Sequence, residues 1–444
     1  MTTSSSTAEP RGRALARNTL YNLLGQVIPL LVGIVAIPIA TRYLGAARFG
    51  LLAIIWAVLG SAVALDLGLG RATTKYVAEY LSLGKHAELR RVAGLTVASQ
   101  TALGLAGGVV LALASGWLTR VLSIPAGLHH EAHLALIALA ASIPFVVLSA
   151  SLRGILEGAQ RFDLGNLVRG PVAVVGFAVP AIAAPLGASL GTIVLLLLAA
   201  RIAACWALAV AIRRSLPEFR WEFRPSWAVL RPLLAFGGWV SVSNAIAPLL
   251  SYLERFLLAS LAGVAAVAYY AAPFEAVTRL QIMPASLAGA LFPLVSASAA
   301  QSGAGGGRDS ERLVGRALWY LLPALALPTG LAALFAHPLL GVWLGGAYAA
   351  NGAAALAILA AGVLVNGLAH LPSAYLLARG RPDLPAMFHL VELPLYAAAG
   401  WVLIGAYGVA GAALAWTLRV TLDAVLLAGA MWWVSHPVRQ RAIA

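Results

Sequence analysis

At 444 residues, 61% hydrophobic and only 10% charged, the chain lacks the polar side chains needed to coat soluble domains, which carry roughly 25% charged residues. Its net charge of +14 does not make it a nucleic-acid binder, because the basic residues stand in short loops between apolar blocks, where they set orientation and meet anionic headgroups. The single cysteine, Cys205, lies inside an apolar block, which excludes an intramolecular disulfide and a Cys-based metal site.

The opening MTTSSSTAEPRGRALAR is too polar and too long for a cleaved signal, so residues 1–14 are expected to form a disordered cytosolic tail before an uncleaved first span. A span needs about 20 mainly apolar residues. That template predicts helices near 17–41, 49–70, 92–115, 132–151, 168–185 and 189–212, then near 232–256, 264–296, 313–336, 352–377, 384–405 and 409–434. The two sets define an N-terminal six-helix lobe (15–212) and a C-terminal six-helix lobe (232–434), followed by a cytosolic tail at 435–444. Between the lobes, 213–231 reads as a cytosolic linker, and alternation of Trp221, Phe223 and Trp227 with Arg220, Glu222 and Arg224 suits headgroup depth. The segment Gly303 to Arg312 reads as a flexible inner linker, with no GK[ST] to make it a phosphate cradle.

Charge supports the count. With a cytosolic N-terminus, twenty-three of the 30 Lys+Arg fall in inner segments and three (Arg42, Arg48 and Arg120) in outer loops. A missed helix would invert every later loop and destroy that bias. Twelve spans with both termini inside is therefore the expected topology. A faint repeat joins the first span of each lobe to the second, Leu44-Gly45-Ala46-Ala47-Arg48-Phe49-Gly50-Leu51 echoing Ala262-Gly263-Val264-Ala265-Ala266-Val267-Ala268-Tyr269.

Ionisable groups at bilayer depth are costly and mark cavities or partners. The candidates are Asp66, Arg201, Glu254, Arg255, Glu275, Arg279, Glu392, Arg419 and Asp423. Glu275/Arg279 and Arg419/Asp423 are spaced i,i+4 and share a helical face, as self-neutralising pairs or as parts of a site. Glu254 and Arg255 point about 100° apart, and their place near the outer end of span 7 leaves snorkelling to water as a plain alternative. Arg201 has no acid at i±4 and is a candidate for lining a polar cavity. Arg42 and Arg48 flank a short outer loop, as guards of a cavity mouth or as headgroup contacts. Permanently charged, planar arginine donors suit phosphate oxygens.

Three motif matches fail on context. Gly187-Ala188-Ser189-Leu190-Gly191 fits a hydrolase elbow but follows no strand. His129-His130-Glu131-Ala132-His133 lacks the spacing of a zinc helix. Gly341 and Gly345 satisfy a GxxxG pattern common in glycine-rich membrane chains.

Asn18, Leu20, Asn22 and Gly25, Ile37-Pro38, Arg42-Tyr43-Leu44-Gly45, Phe49-Gly50 and Asp66-Leu67-Gly68-Leu69 together resemble the opening of the polysaccharide transporter family of the MATE-like flippase superfamily. Glu254-Arg255-Phe256-Leu257-Leu258 resembles the start of that family's seventh span, and Ala268-Tyr269-Tyr270-Ala271 its G-x-Y-x-x-A stretch, with Glu254 where members often have Asp and Ala268 where they often have Gly. The resemblance implies an all-α polytopic membrane protein of the MATE-like fold, working by alternating access in the bacterial plasma membrane. It implies polyprenyl-pyrophosphate-linked oligosaccharide as substrate, for O-antigen, capsule or exopolysaccharide. Arg201, Arg255 and Arg279 would attract the pyrophosphate, with Arg42 and Arg48 at the mouth. Asp66, Glu254, Glu275, Glu392, Arg419 and Asp423 would act as charge partners or in proton or cation coupling. No cofactor or catalytic residue is implied, and the pathway's polymerase and glycosyltransferases are the expected partners besides the bilayer. The rival readings are a drug or cation antiporter of the same fold, which would favour an acidic cavity, and a membrane glycosyltransferase or polymerase, which would need acidic or basic catalytic groups in a sizeable loop, whereas the outer loops are short with the single acid Glu131 and no D-x-D motif occurs on either side.

Overall fold

The computed structural model describes residues 11–216, 246, 249–302 and 306–436, with side chains from residue 28 onward except 297–302 and 306–309. The aromatic–arginine stretch at 220–231, the start of the seventh predicted span and most of both predicted tails lie outside the described residues. Among the described residues thirteen α-helices follow one another: α1 Arg11–Ser61, α2 Leu69–Ser82, α3 His86–Val121, α4 His129–Gly158, α5 Phe162–Ala183, α6 Leu190–Ser215, α7 249–262, α8 Val264–Thr278, α9 Ile282–Ser302, α10 Gly306–Leu334, α11 Ala336–Leu344, α12 Gly346–Ala378 and α13 Asp383–Ser435. No strand occurs among the described residues.

Eight of these helical stretches are long and apolar enough to cross a bilayer. Two of them, Ile28–Asp66 and Asp383–Ser435, hold 39 and 53 residues, too many for one crossing of about 20 residues. Each contains a glycine outside helical geometry, Gly45 (φ 72°, ψ 168°) in α1 and Gly408 (φ 55°, ψ −124°) in α13. Only glycine adopts such angles without strain, so predicted inter-span loops shrink to single-residue bends. In α13 the bend is a full reversal. Glu392 and Arg419 would stand about 40 Å apart along a straight helix, yet their side chains meet at 3.6 Å. Splitting α1 and α13 at these bends and adding α7 and the α8–α9 pair accounts for the twelve predicted crossings.

Gly263 repeats the conformation of Gly45 (φ 83°, ψ 161°), so the echo noted in sequence is an echo in backbone. A second repeat went unnoticed in sequence. Arg161 clasps Asp163 at 3.0 Å ahead of α5, and Arg381 clasps Asp383 at 2.9 Å ahead of α13. Each clasp follows a left-handed residue (Gln160, φ 58°; Gly380, φ 72°) that ends the preceding helix.

The structure departs from the predicted elements in several places. Helix α1 begins at Arg11, within the predicted tail, where the run Arg13 to Arg17 (RALAR) consists of good helix formers. Predicted span 2 stops at Ser61, passes through a 3₁₀ turn (Ala62–Asp66) and gives way at left-handed Leu67 and Gly68 to the separate amphipathic helix α2. Helix α10 starts at Gly306, so most of the predicted glycine-rich linker is helical. The outer surface carries large apolar side chains, with Leu113, Leu186 and Val342 exposed by 82, 81 and 92%. Such a surface belongs in lipid.

The chain falls into two compact units. The first comprises the described parts of Met1–Tyr43, Ala62–Ser115 and Glu131–Ser241, and the second those of Leu44–Ser61, Gly116–His130 and Val242–Ala444. The first has a core of Val77, Leu89, Val97, Leu152, Ile155, Leu208 and Ile212 from α2, α3, α4 and α6. In the second, Leu291, Val295, Leu321, Leu325, Leu371, Tyr375 and Leu427 join α9, α10, α12 and α13. Segment 44–61 lies so close to α8 that Gly50 faces the backbone carbonyl of Val264 with no room for a Cβ.

The rejected motifs have structural tasks. Ser189 caps α6, accepting from the Thr192 N–H at 3.2 Å, and the Glu131 carboxylate accepts from the Leu190 N–H at 2.6 Å. His129 meets the Ile124 carbonyl at 2.8 Å and His133 the Ser115 hydroxyl at 3.2 Å. Gly345 (φ 94°) is the turn between α11 and α12.

Candidate functional site

The second unit gathers seven of the nine candidate intramembrane charges. Helix α7 supplies Glu254 and Arg255, which are 0 and 1% exposed. Snorkelling is thereby ruled out for both. As their 100° divergence requires, they serve different partners. Arg255 Nη2 donates to Glu275 Oε1 at 2.9 Å, and Nη1 reaches the Ala53 carbonyl at 3.5 Å. Its guanidinium packs between the rings of Tyr252 and Phe274, 5.2 and 5.3 Å from their centroids. These are the contacts that make a buried cation tolerable. Glu275 also binds Arg279 at 3.1 Å, so the predicted i,i+4 pair forms and becomes a triad. A third of the Arg279 side chain is exposed.

Glu254 turns the other way. Its carboxylate accepts from the Tyr396 hydroxyl at 2.6 Å and from the Tyr270 hydroxyl at 3.3 Å. Arg419 lies over the Tyr396 ring at 5.8 Å and meets Glu392 at 3.6 Å. The predicted Arg419/Asp423 pair is therefore not the one seen, since the facing arm of α13 offers Arg419 the fully buried Glu392 instead. Asp423 is approached by His389 at 3.9 Å. The result is one polar chain through α7, α8 and both arms of α13.

The remaining candidates stand apart from that chain. In the first unit, Asp66 is 5% exposed and accepts from the Gly70 N–H at 2.8 Å, which caps α2. The Gln100 side-chain amide also donates to Asp66, and its oxygen accepts from the Ser151 N–H at 3.0 Å. One acidic residue thus ties α2, α3 and α4 together. Arg201 is half-buried on α6, one turn before Cys205, whose thiol donates to the Phe145 carbonyl at 3.2 Å. Arg42 belongs to the first unit and Arg48 to the second, and both are exposed.

Sequence reasoning missed Tyr270, Tyr396, His389 and Gln100. A signal was present for two of them, because His389, Glu392 and Tyr396 follow i, i+3, i+7 spacing on one helical face. Leucine at Asp66 is expected to strand the Gly70 and Gln100 donors, each buried unsatisfied group costing about 1–3 kcal/mol. Thermal unfolding of the purified protein should show that loss for Asp66→Leu and much less for Asp66→Asn, whose amide oxygen still accepts.

The family described as "Polysaccharide biosynthesis protein" matches residues 15–298. The "Putative O-antigen transporter" of Shigella flexneri is 30% identical over 415 residues, covering 93% of this chain and 97% of that protein. An inward-facing multidrug resistance MATE family transporter of the MOP superfamily superposes with a TM-score of 0.79 at 16% identity, over 94% of this chain and 99% of that one. The lipid II flippase MurJ, in an inward closed conformation, gives a TM-score of 0.72 at 13% identity, over 94 and 90% of the two chains. At those identities the structural likeness speaks for fold alone. With an apolar helical exterior and a transporter-type fold, the chain is a multi-pass membrane protein and belongs to the polysaccharide biosynthesis protein family.

Proposed function

We propose that this protein is a flippase that exports polyprenyl-pyrophosphate-linked oligosaccharide units for a surface polysaccharide, by alternating access. The observation that carries this reading is the near full-length match to the Shigella flexneri protein named for O-antigen transport. The interior chemistry is compatible with it. A glycan pyrophosphate crossing hydrocarbon unaided pays a large desolvation cost, and arginines held in a polar interior lower that cost. Arg279, partly exposed and held by Glu275, is the arginine of the triad open to phosphate; Arg201, Arg42 and Arg48 are each proposed separately as headgroup contacts. Arg255 holds Glu275 in place and is enclosed in the conformation described.

The same reading takes 15–212 and 232–434 as the two lobes, both termini as cytoplasmic, the bacterial inner membrane as location, and a polymerase and glycosyltransferases as pathway partners. It makes the protein a carrier and not an enzyme. The antiporter reading rests on a likeness of fold at 16% identity, and the second unit mixes both signs of charge where an acidic cavity would suit cationic drugs.

Mass spectrometry of lipid extracts from a strain lacking the gene tests the proposal. Accumulation of a polyprenyl-linked oligosaccharide with loss of a surface polysaccharide is expected; an unchanged lipid profile in a strain without a second flippase would overturn it. Arg279→Gln should reduce export severalfold while membrane abundance stays near normal, because Glu275 keeps its bond to Arg255. Normal export, measured as surface polysaccharide, would remove Arg279 from the site.

A further inference from the structure

The buried charges of the second unit do not balance, and the imbalance has an address. Arg255 and Arg279 are matched in number by Glu254 and Glu275: Glu275 bridges the two arginines, and Glu254 takes the hydroxyl donors of Tyr270 and Tyr396. That leaves the two arms of the α13 hairpin, where the cation Arg419 faces two carboxylates, Glu392 and Asp423, beside His389. With a neutral imidazole the group carries one excess negative charge at a depth where an unpaired charge is costly.

The geometry locates the missing positive charge. Ligand atoms of His389, Glu392 and Asp423 all lie within 4.8 Å of one another. Glu392 is 0% exposed and Asp423 7%. Neither oxygen of Glu392 has a hydrogen-bond donor, nor has Oδ1 of Asp423. The two carboxylates therefore face each other, with Arg419 at 3.6 Å from Glu392 and His389 at 3.9 Å from Asp423, both beyond hydrogen-bond distance. The charged groups in contact with Glu392 and His389 are Arg419, at 3.6 Å from Glu392, and Asp423, at 3.9 Å from His389. No ionised group of α10 or α12, which pack on α13, is among them. Helix α8 contributes the neutral Tyr270, and α7 contributes Glu254, which Tyr396 separates from Arg419.

We propose that Glu392 and Asp423 share one exchangeable proton, with His389 as its route to water. A single charge brings the group to neutrality, whereas a divalent metal would overshoot and would stand against Arg419, 3.6 Å from Glu392. A sodium ion prefers oxygen ligands, and imidazole is a poor partner for it. The proton binds one carboxylate oxygen, and the resulting O–H donates to the facing carboxylate, which satisfies both groups. His389, 29% exposed, is the member of the cluster open enough to pass that proton in either direction. The use of this proton to drive export rests on the flippase reading above; the site itself does not.

Infrared difference spectroscopy of the purified full-length chain in lipid nanodiscs, stepped from acid to alkaline pH, tests this without any glycan. The wild type should lose the C=O stretch of a buried protonated carboxyl as pH rises, and the band should be missing from both Glu392→Gln and Asp423→Asn. It should persist in Glu254→Gln, and sodium or zinc chloride at fixed pH should leave the wild-type band unchanged. His389→Gln keeps both carboxyls and should slow the band's response to a pH jump severalfold without abolishing it, which keeps the idea testable where a carboxyl variant does not fold. A wild type without the band, a band surviving in both carboxyl variants, its loss in Glu254→Gln, or its displacement by sodium or zinc would each overturn the assignment. None of these results touches the lipid-extract experiment, so failure of the proton site and failure of the flippase reading are separable.

Discussion

Glutamine in place of Glu275 is expected to destabilise the protein by about 3 kcal/mol, since removing one partner of a buried ion pair leaves the other charge uncompensated. The charge left behind is Arg255, 1% exposed and held otherwise by the edge of a carbonyl and two aromatic faces. Arg279 loses the same partner but keeps access to water. The contrast between two variants makes the argument checkable. Glu275→Gln should lower the thermal midpoint in detergent sharply, whereas the double variant Arg255→Met/Glu275→Gln should recover much of the loss, because a thioether chain suits the Tyr252–Phe274 slot without needing a counter-charge. Equal losses in single and double variants would mean that the packing of Arg255, and not its charge, carries the effect.

The second large effect is expected at Gly50. Any side chain there enters the space of the Val264 carbonyl, and backbone cannot yield as the tip of a flexible side chain does. Forcing extra atoms into a packed core costs about 1–3 kcal/mol, occasionally more, and here the displaced partner is the start of α8. Gly50→Val should therefore leave little monodisperse protein after extraction, judged by fluorescence-detected size exclusion. Gly116→Val, at a helical glycine with open space around it, should behave like the wild type. If the two variants behave alike, the close approach of segment 44–61 to α8 does not govern stability.

Much of the fold was legible because the bilayer imposes a coarse rule, about 20 apolar residues per crossing, that composition alone can reveal. The breaks between spans were legible for a related reason. Gly45, Gly263 and Gly408 stand where apolar runs are twice too long, and glycine is the residue that turns a chain there cheaply. Helix α2 was hidden because Arg71, Lys75 and Lys85 look like an inner loop, although the Asp66 cap that starts the helix is four residues before Gly70. The site was legible in its charges and opaque in its pairings. An i,i+4 spacing says that Arg419 and Asp423 share a face, but it cannot say that the returning arm of α13 brings Glu392 closer. Tyrosine hydroxyls are harder still, because in a membrane chain a tyrosine is equally at home in the interfacial belt. Only the packed structure shows Tyr270 and Tyr396 converging on Glu254.

The reversal at Gly408 has a consequence for how the chain is made. Its two arms, before and after the bend, carry groups that meet only across the hairpin: Glu392 pairs with Arg419, and His389 stands beside Asp423. A translocating chain that has delivered only the first arm offers the lipid an unpartnered carboxylate, and one charged residue near the middle of a span opposes insertion by roughly 2.5–3.5 kcal/mol. Once the second arm emerges, the debt is cancelled from within the same chain. A one-residue bend with no polar loop to push through the bilayer lets both arms partition together, so the unit of biogenesis here is the folded hairpin and not the single helix.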